Sequence, residues 1–179
     1  RDKWASQEVR VECWIEKDAL LGVIAGVCDE NDVPYFSCRG YTSQSEVWRA
    51  GLRIKRHIHN GQTPIILHLG DHDPSGLDMT RDVGGRLALF VGDEIEINRL
   101  ALNWDQVTNY NPPPNPAKTT DSRFADYVQV YGEESWELDA LEPRVIADLI
   151  QRAVNRIRDQ GAWDQALAQE NQERAQLSA

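Results

Sequence analysis

A short strand-like apolar run followed by residues at helical spacing occurs three times in the first ninety residues, and this alternation constrains the fold more than any other feature. Val9 to Glu16 alternates and then turns apolar, and Lys17 to Asp29 carries apolar residues at three- and four-residue intervals, predicting a strand that feeds a helix. Pro34 to Cys38 then reads as a short strand, Ser43 to Ile58 as a helix, Pro64 to Leu69 as a continuous buried strand and Leu77 to Phe90 as a helix. Glu94 to Leu102 predicts a further strand, with Ile95, Ile97 and Leu100 inward after a one-residue irregularity. Strands separated by helices imply crossover connections, so the expected fold is α/β, with a mainly parallel sheet of about four strands flanked by helices.

The character changes after Trp104. Asn109 to Pro116 holds four prolines, which lack the amide donor and restrict their predecessors, so it predicts a loop. Beyond it Leu141, Val145, Ile146, Leu149, Ile150, Ala153, Val154 and Ile157 recur at helical intervals around Pro143, a residue suited to a first helical turn. Gly161 interrupts, and the tail from Trp163 to Ala179 has helix propensity with a thin apolar stripe. The expected organisation is a core over 1–103, with the proline-rich loop and C-terminal helices of 104–179 packed on the same domain.

The length of 179 residues suits one domain, and no apolar run approaches the roughly 20 residues of a membrane helix. Cys13, Cys28 and Cys38 are odd in number and lack metal-type spacing, which argues against disulfides or zinc. With no basic-then-apolar leader in the sequence, a reducing, cytoplasmic location is expected. The net charge of −10 disfavours a protein that coats nucleic acid, so any polyanion has to meet a local basic patch or a bound cation.

The acids that end strands are the informative ones. Glu16 closes the first strand, and Gly70-Asp71-His72-Asp73-Pro74-Ser75-Gly76 closes the apolar run Ile65-Ile66-Leu67. In open parallel sheets that carboxyl edge binds ligands. If the two strands are neighbours, Glu16, Asp71 and Asp73 converge, and their repulsion is relieved by a divalent cation. Hard carboxylate oxygens without a His or thiolate partner suit Mg²⁺ or Mn²⁺ rather than zinc. The competing reading is a turn, because Asp, Pro, Ser and Gly all form turns. Relief of repulsion further predicts that Asp71→Ala or Asp73→Ala removes metal-dependent activity while leaving stability near that of the wild type.

Trp14-Ile-Glu-Lys-Asp-Ala-Leu20, Cys38-Arg-Gly-Tyr41 and Leu69-Gly-Asp-His-Asp-Pro-Ser-Gly-Leu-Asp78 together resemble the toprim domain, most closely the branch of the topoisomerase VI A subunit and the meiotic double-strand-break protein. The resemblance spans Val9 to Leu102. It implies a Rossmann-like toprim fold in which Glu16 is a metal ligand or general acid/base and Asp71 and Asp73 bind magnesium. Asn115 to Arg123 followed by Ser135 to Leu141 looks like toprim proteins of phages and mobile elements. That branch carries its DNA-attacking tyrosine in a preceding winged-helix domain, which the residues before Val9 cannot hold, so an N-terminal winged-helix domain from outside this sequence is a candidate partner that would supply the nucleophile. None of Tyr35, Tyr41, Tyr110, Tyr127 or Tyr131 matches that tyrosine, and Ser75 stands where type II topoisomerases carry a third aspartate.

Further candidates surround these acids. Glu137 and Asp139 offer ligands for a second ion, or a cap for the helix behind Pro143. Arg39, Arg49, Arg53, Lys55 and Arg56 face a single acid, Glu46, and in one helix Arg49, Arg53 and Arg56 share a face suited to a phosphate backbone. Lys17, Lys118 and Arg123 are additional phosphate contacts. His57-x-His59 lacks the remaining ligands of a zinc hydrolase, His68 is expected to pack in a strand, and Gly84-Gly85 is expected to weaken or kink its helix. The leading expectation is Mg²⁺-dependent cleavage of nucleic-acid phosphodiesters, DNA foremost, by a toprim nuclease or a topoisomerase-like component. A non-catalytic DNA-binding or protein-interaction module and a small-molecule phosphohydrolase are the rivals. Oligomeric state is open, a homodimer included.

Overall fold

The computed structural model describes residues 2–38 and 44–177. β1 (Val9–Ile15), β2 (Tyr35–Ser37), β3 (Thr63–Leu69) and β4 (Glu96–Ala101) form one sheet in the order β2-β1-β3-β4, and every pair in it is parallel. α1 (Leu21–Glu30), entered through a 3-10 turn at Asp18–Leu20, α2 (Gln44–His59) and α3 (Pro74–Val91) connect the strands in turn. The α/β architecture and the four-stranded parallel sheet are as expected.

Both faces of this sheet are covered, which is why β3 is apolar without alternation. Val11, Cys13 and Ile15 of β1 and Ile65, Leu67 and Leu69 of β3 pack against Ile24 and Cys28 of α1 and against Ile146, Ile150 and Val154 of α6 (Pro143–Ile157). Trp14 and Ile66 point to the opposite face, where Val47, Ala50 and Ile54 of α2 meet Met79, Val83 and Leu87 of α3. Each fully buried Leu or Ile in these layers contributes about 1.5–3 kcal/mol. Leu100 is buried against the α1/α6 layer, opposite to Ile95 and Ile97, and the pairing of β3 with β4 shifts register between His68 and Leu69.

α3 begins at Pro74, earlier than the apolar spacing predicted. The Asp73 side chain accepts from the Gly76 amide over 2.6 Å, and proline occupies the first turn, so capping rather than periodicity sets the start. The helix runs unbroken through Gly84 and Gly85. A Cβ at Gly84 would stand 3.2 Å from Ile97 Cγ1, so this glycine lets α3 lie close on β4.

The region after Trp104 holds more structure than its prolines suggest. α4 (Trp104–Tyr110) starts with a reciprocal capping box between Asn103 and Gln106 and ends at Asn111 with φ 46°. β5 (Asn115–Pro116) pairs antiparallel with β6 (Glu134–Ser135), and α5 (Phe124–Tyr131) lies between them in sequence. Gly161 sits in the first turn of α7 (Gln160–Leu177) and does not interrupt it. Trp163 is buried, with its ring 5.8 Å from that of Trp4 and the Arg158 guanidinium 4.4 Å from its centroid. The three cysteines are buried and form no disulfide among the described residues, and no described helix is long and apolar enough to cross a membrane.

Candidate metal site at the strand reversal

Chain direction across the sheet reverses between β1 and β3. From β1 the chain runs through α1, on one face, to β2 at one edge. From β3 it runs through α3, on the other face, to β4 at the opposite edge. The two connections therefore diverge at the carboxyl ends of adjacent strands and leave a crevice there, the usual ligand position in doubly wound sheets. Ile15 lies opposite Leu69, and the Glu16 amide donates to the Leu69 carbonyl over 2.9 Å. Glu16 and Gly70–Asp73 thus flank the reversal, the neighbouring arrangement on which their convergence depends.

Each acid is held differently. The Glu16 side chain is 11% exposed. Burial, followed by the charges of Asp71 and Asp73, pushes its carboxyl up to about 8, against opposition from Arg99 and from the Asp71 amide. Its carboxyl lies over Gly70, where an added Cβ would overlap it, so glycine lets Glu16 keep this close approach. Asp71 is raised by burial and by Asp73, while the Leu138 amide, which donates to its Oδ1 over 2.7 Å, and Lys17 draw it down. Asp73 Oδ1 accepts from the Gly76 amide and, over 3.1 Å, from the Ser75 hydroxyl. The turn reading is therefore also correct for Asp73, whose cap bonds go to Oδ1.

Arg99 stands behind the acid loop. Its Nη2 donates to the carbonyls of Asp71 (2.6 Å), Leu102 (3.2 Å) and Gly70 (3.3 Å), and its Nη1 to Thr80 Oγ1 (2.7 Å) and the Gly76 carbonyl (3.0 Å). One planar fork thereby satisfies carbonyls at both ends of the loop. From the other side, His72 exchanges both backbone hydrogen bonds with Trp136, and its ring Nδ1 lies 2.9 Å from the Tyr127 hydroxyl. Trp104, Tyr127, Tyr131 and Trp136 surround the His72 ring at centroid distances of 4.6 to 5.8 Å. Burial and the Arg99 charge depress this imidazole to about 4, so His72 is a neutral core residue that anchors the loop. Sequence reasoning missed Arg99, Thr80 and Tyr127. Arg99 alone carried a signal, as a charged residue inside a predicted strand.

The remaining candidates are dispersed. Lys17 Nζ reaches Asp139 Oδ1 at 2.8 Å and Glu137 Oε2 at 3.7 Å, so a cation of the chain already stands at the acids considered for a second ion. Arg53 donates from Nε and Nη2 to Glu12, which is buried in the middle of β1 and also accepts from the Trp14 indole. Arg49 and Arg56 are exposed, but α2 follows β2 and rises about 1.5 Å per residue back along the sheet, so its basic face recedes from the acid crevice. Arg123 bonds Asp121 and Asp78 and ties the segment before α5 to α3. Lys118 is exposed, and Arg39, with Gly40-Tyr41, lies outside the described residues.

The donor set is that of a hard cation: three carboxylates, electrostatically coupled, with Glu16 and Asp71 raised by burial first and by neighbouring acids second. Glu16 Oε1 is buried with no hydrogen-bond partner. Among the described residues no group of three or more His, Cys, Asp or Glu side chains stands ready to hold a metal ion, so the carboxylates neighbour one another without being drawn to ligand spacing. The chain matches no protein-family model, no curated protein and no solved structure.

Proposed function

We propose that this chain is a toprim-type domain that cleaves nucleic-acid phosphodiesters, DNA foremost, with Mg²⁺ or Mn²⁺. The observation that carries the reading is the position of Glu16, Asp71 and Asp73 on either side of the strand reversal, where burial and mutual repulsion leave Glu16 protonated near neutral pH. Asp71 and Asp73, with Glu16 beside them, are the residues that would hold the ion. When bound, such an ion supplies charge neutralisation on the non-bridging oxygens and activation of a water. Glu16 is the group suited to moving a proton between that water or the leaving oxygen and solvent, because its carboxyl changes state near working pH. Arg99 and the Leu138 amide keep the loop in place through its main chain and Asp71 Oδ1.

The test incubates supercoiled plasmid and a single-stranded oligonucleotide with the protein in Mg²⁺, Mn²⁺ or chelator, with Glu16→Ala and Asp71→Asn alongside. Cleavage in the metals, lost in chelator and in both variants, is the expected result. Folded wild-type protein that neither cleaves nor binds Mn²⁺ overturns the reading.

A second reading, a non-catalytic DNA-binding or protein-interaction module, draws support from the capping role of Asp73 and the pairing of Lys17 with Asp139. It predicts that the folded chain binds no divalent ion.

A further inference from the structure

Two polar atoms without hydrogen-bond partners face each other beneath the acid loop. His68 lies on β3 with its side chain fully buried on the α3 side, and its Nε2 stands 3.5 Å from Glu16 Oε1. That separation is longer than a well-formed N–H···O bond, and a shift of about half an ångström closes it. Leaving two buried polar atoms unsatisfied is unfavourable, so the pair has a strong reason to approach.

The other ring nitrogen decides which atom carries the proton. His68 Nδ1 is 2.8 Å from Thr80 Oγ1, and that oxygen also receives Arg99 Nη1 at 2.7 Å. A guanidinium only donates, so Thr80 accepts from Arg99 and has one hydrogen of its own to give. His68 Nδ1 is the acceptor in reach. The imidazole is then left with its proton on Nε2, aimed at Glu16.

We infer that His68 is a positioning residue for Glu16: the series Arg99–Thr80–His68 fixes the Nε2–H tautomer, and that N–H orients the Glu16 carboxyl at the crevice between β1 and β3. The remote charge of Arg99 thereby sets the direction of a hydrogen bond two side chains away. Neighbours that hold a ligating group in this manner change metal affinity by about ten- to a hundredfold when removed. The bearing on metal-dependent cleavage rests on the function proposed above, whereas the tautomer and the His68–Glu16 contact do not.

The test is long-range ¹H–¹⁵N NMR on the full chain with ¹⁵N-labelled histidine, with Mn²⁺ added afterwards as a separate arm. The expected wild-type spectrum shows His68 with a protonated Nε2 and a bare Nδ1. Thr80→Val should shift the tautomer toward Nδ1–H, and Glu16→Gln should displace the Nε2 resonance. His68→Gln, whose amide nitrogen can stand in for Nε2–H, should bind Mn²⁺ within about threefold of wild type, while His68→Leu should lose about tenfold or more. A wild-type Nδ1–H tautomer, or an Nε2 resonance indifferent to Glu16→Gln, overturns the inference. So does His68→Leu binding Mn²⁺ as well as His68→Gln. If His68→Leu does not fold, the wild-type tautomer and the Glu16→Gln response decide the matter. Wild-type protein that ignores Mn²⁺ overturns the metal reading alone, and the two spectra still decide the role of His68.

Discussion

The Arg99 guanidinium donates to the main-chain carbonyl of Asp71 over 2.6 Å, so this cation is bonded to the backbone of the acid loop and not to its carboxylates. This division lets one residue hold the loop through its main chain, while its charge only partly offsets the rise of Glu16.

Replacing Arg99 by Met should therefore destabilise the fold by about 3–5 kcal/mol, because loop carbonyls lose a charge-assisted donor that nothing else supplies. Arg99→Lys should recover little of this, since one ammonium cannot span carbonyls at both ends of the loop. Urea unfolding followed by tryptophan fluorescence measures both variants, and a Lys variant as stable as wild type would show that charge alone suffices.

Asp73 separates capping from chemistry. Asp73→Asn keeps an oxygen for the Gly76 amide and should hold stability within about 0.5 kcal/mol, whereas Asp73→Ala should lose about 1 kcal/mol. The sequence-based expectation that either deletion is neutral is corrected for this residue, because its side chain starts α3. Both variants should lose metal-dependent cleavage, so equal loss of activity with unequal thermal midpoints is the signature to look for.

Glu16 makes the metal-free fold sensitive to rising pH. Its folded-state carboxyl titrates at about 8, above the ordinary 4.5, so the native state binds the extra proton and loses stability as pH rises between these values. His68 and His72 act in the opposite sense. Burial depresses them to about 3 and about 4, so stability is lost as pH falls below 6.5. Thermal midpoints should peak between these limbs, and Glu16→Gln should flatten the alkaline limb alone. An unchanged alkaline limb in that variant would assign the loss to other groups.

Two glycines of the acid loop should respond differently to alanine. A Cβ at Gly76 would overlap the main-chain carbonyl of Asp71, which cannot rotate away, so Gly76→Ala should cost about 2 kcal/mol or more. A Cβ at Gly70 would overlap the Glu16 carboxyl, a group that can swing aside. Gly70→Ala should thus disturb Glu16 and the His68 resonance at smaller cost in stability, as calorimetry together with NMR would reveal.

The sequence alone determined the layers: the continuous apolar run of β3, the alternation in β1 and the helical spacing of α1, α2, α3 and α6 are local patterns set by which faces are buried. It also marked Glu16, Asp71 and Asp73, because a strand end is visible where an apolar run stops. It did not reveal α4 and α5, whose ends are set by capping at Asn103 and by contacts of Tyr127 rather than by a long apolar stripe. Only the tertiary structure decided that β1 and β3 are neighbours with diverging helices, since strand order depends on packing between residues more than fifty positions apart. It alone brought Arg99, Thr80 and His68 together beside Glu16, because a hydrogen-bonded series across β4, α3 and β3 has no spacing in sequence that could announce it.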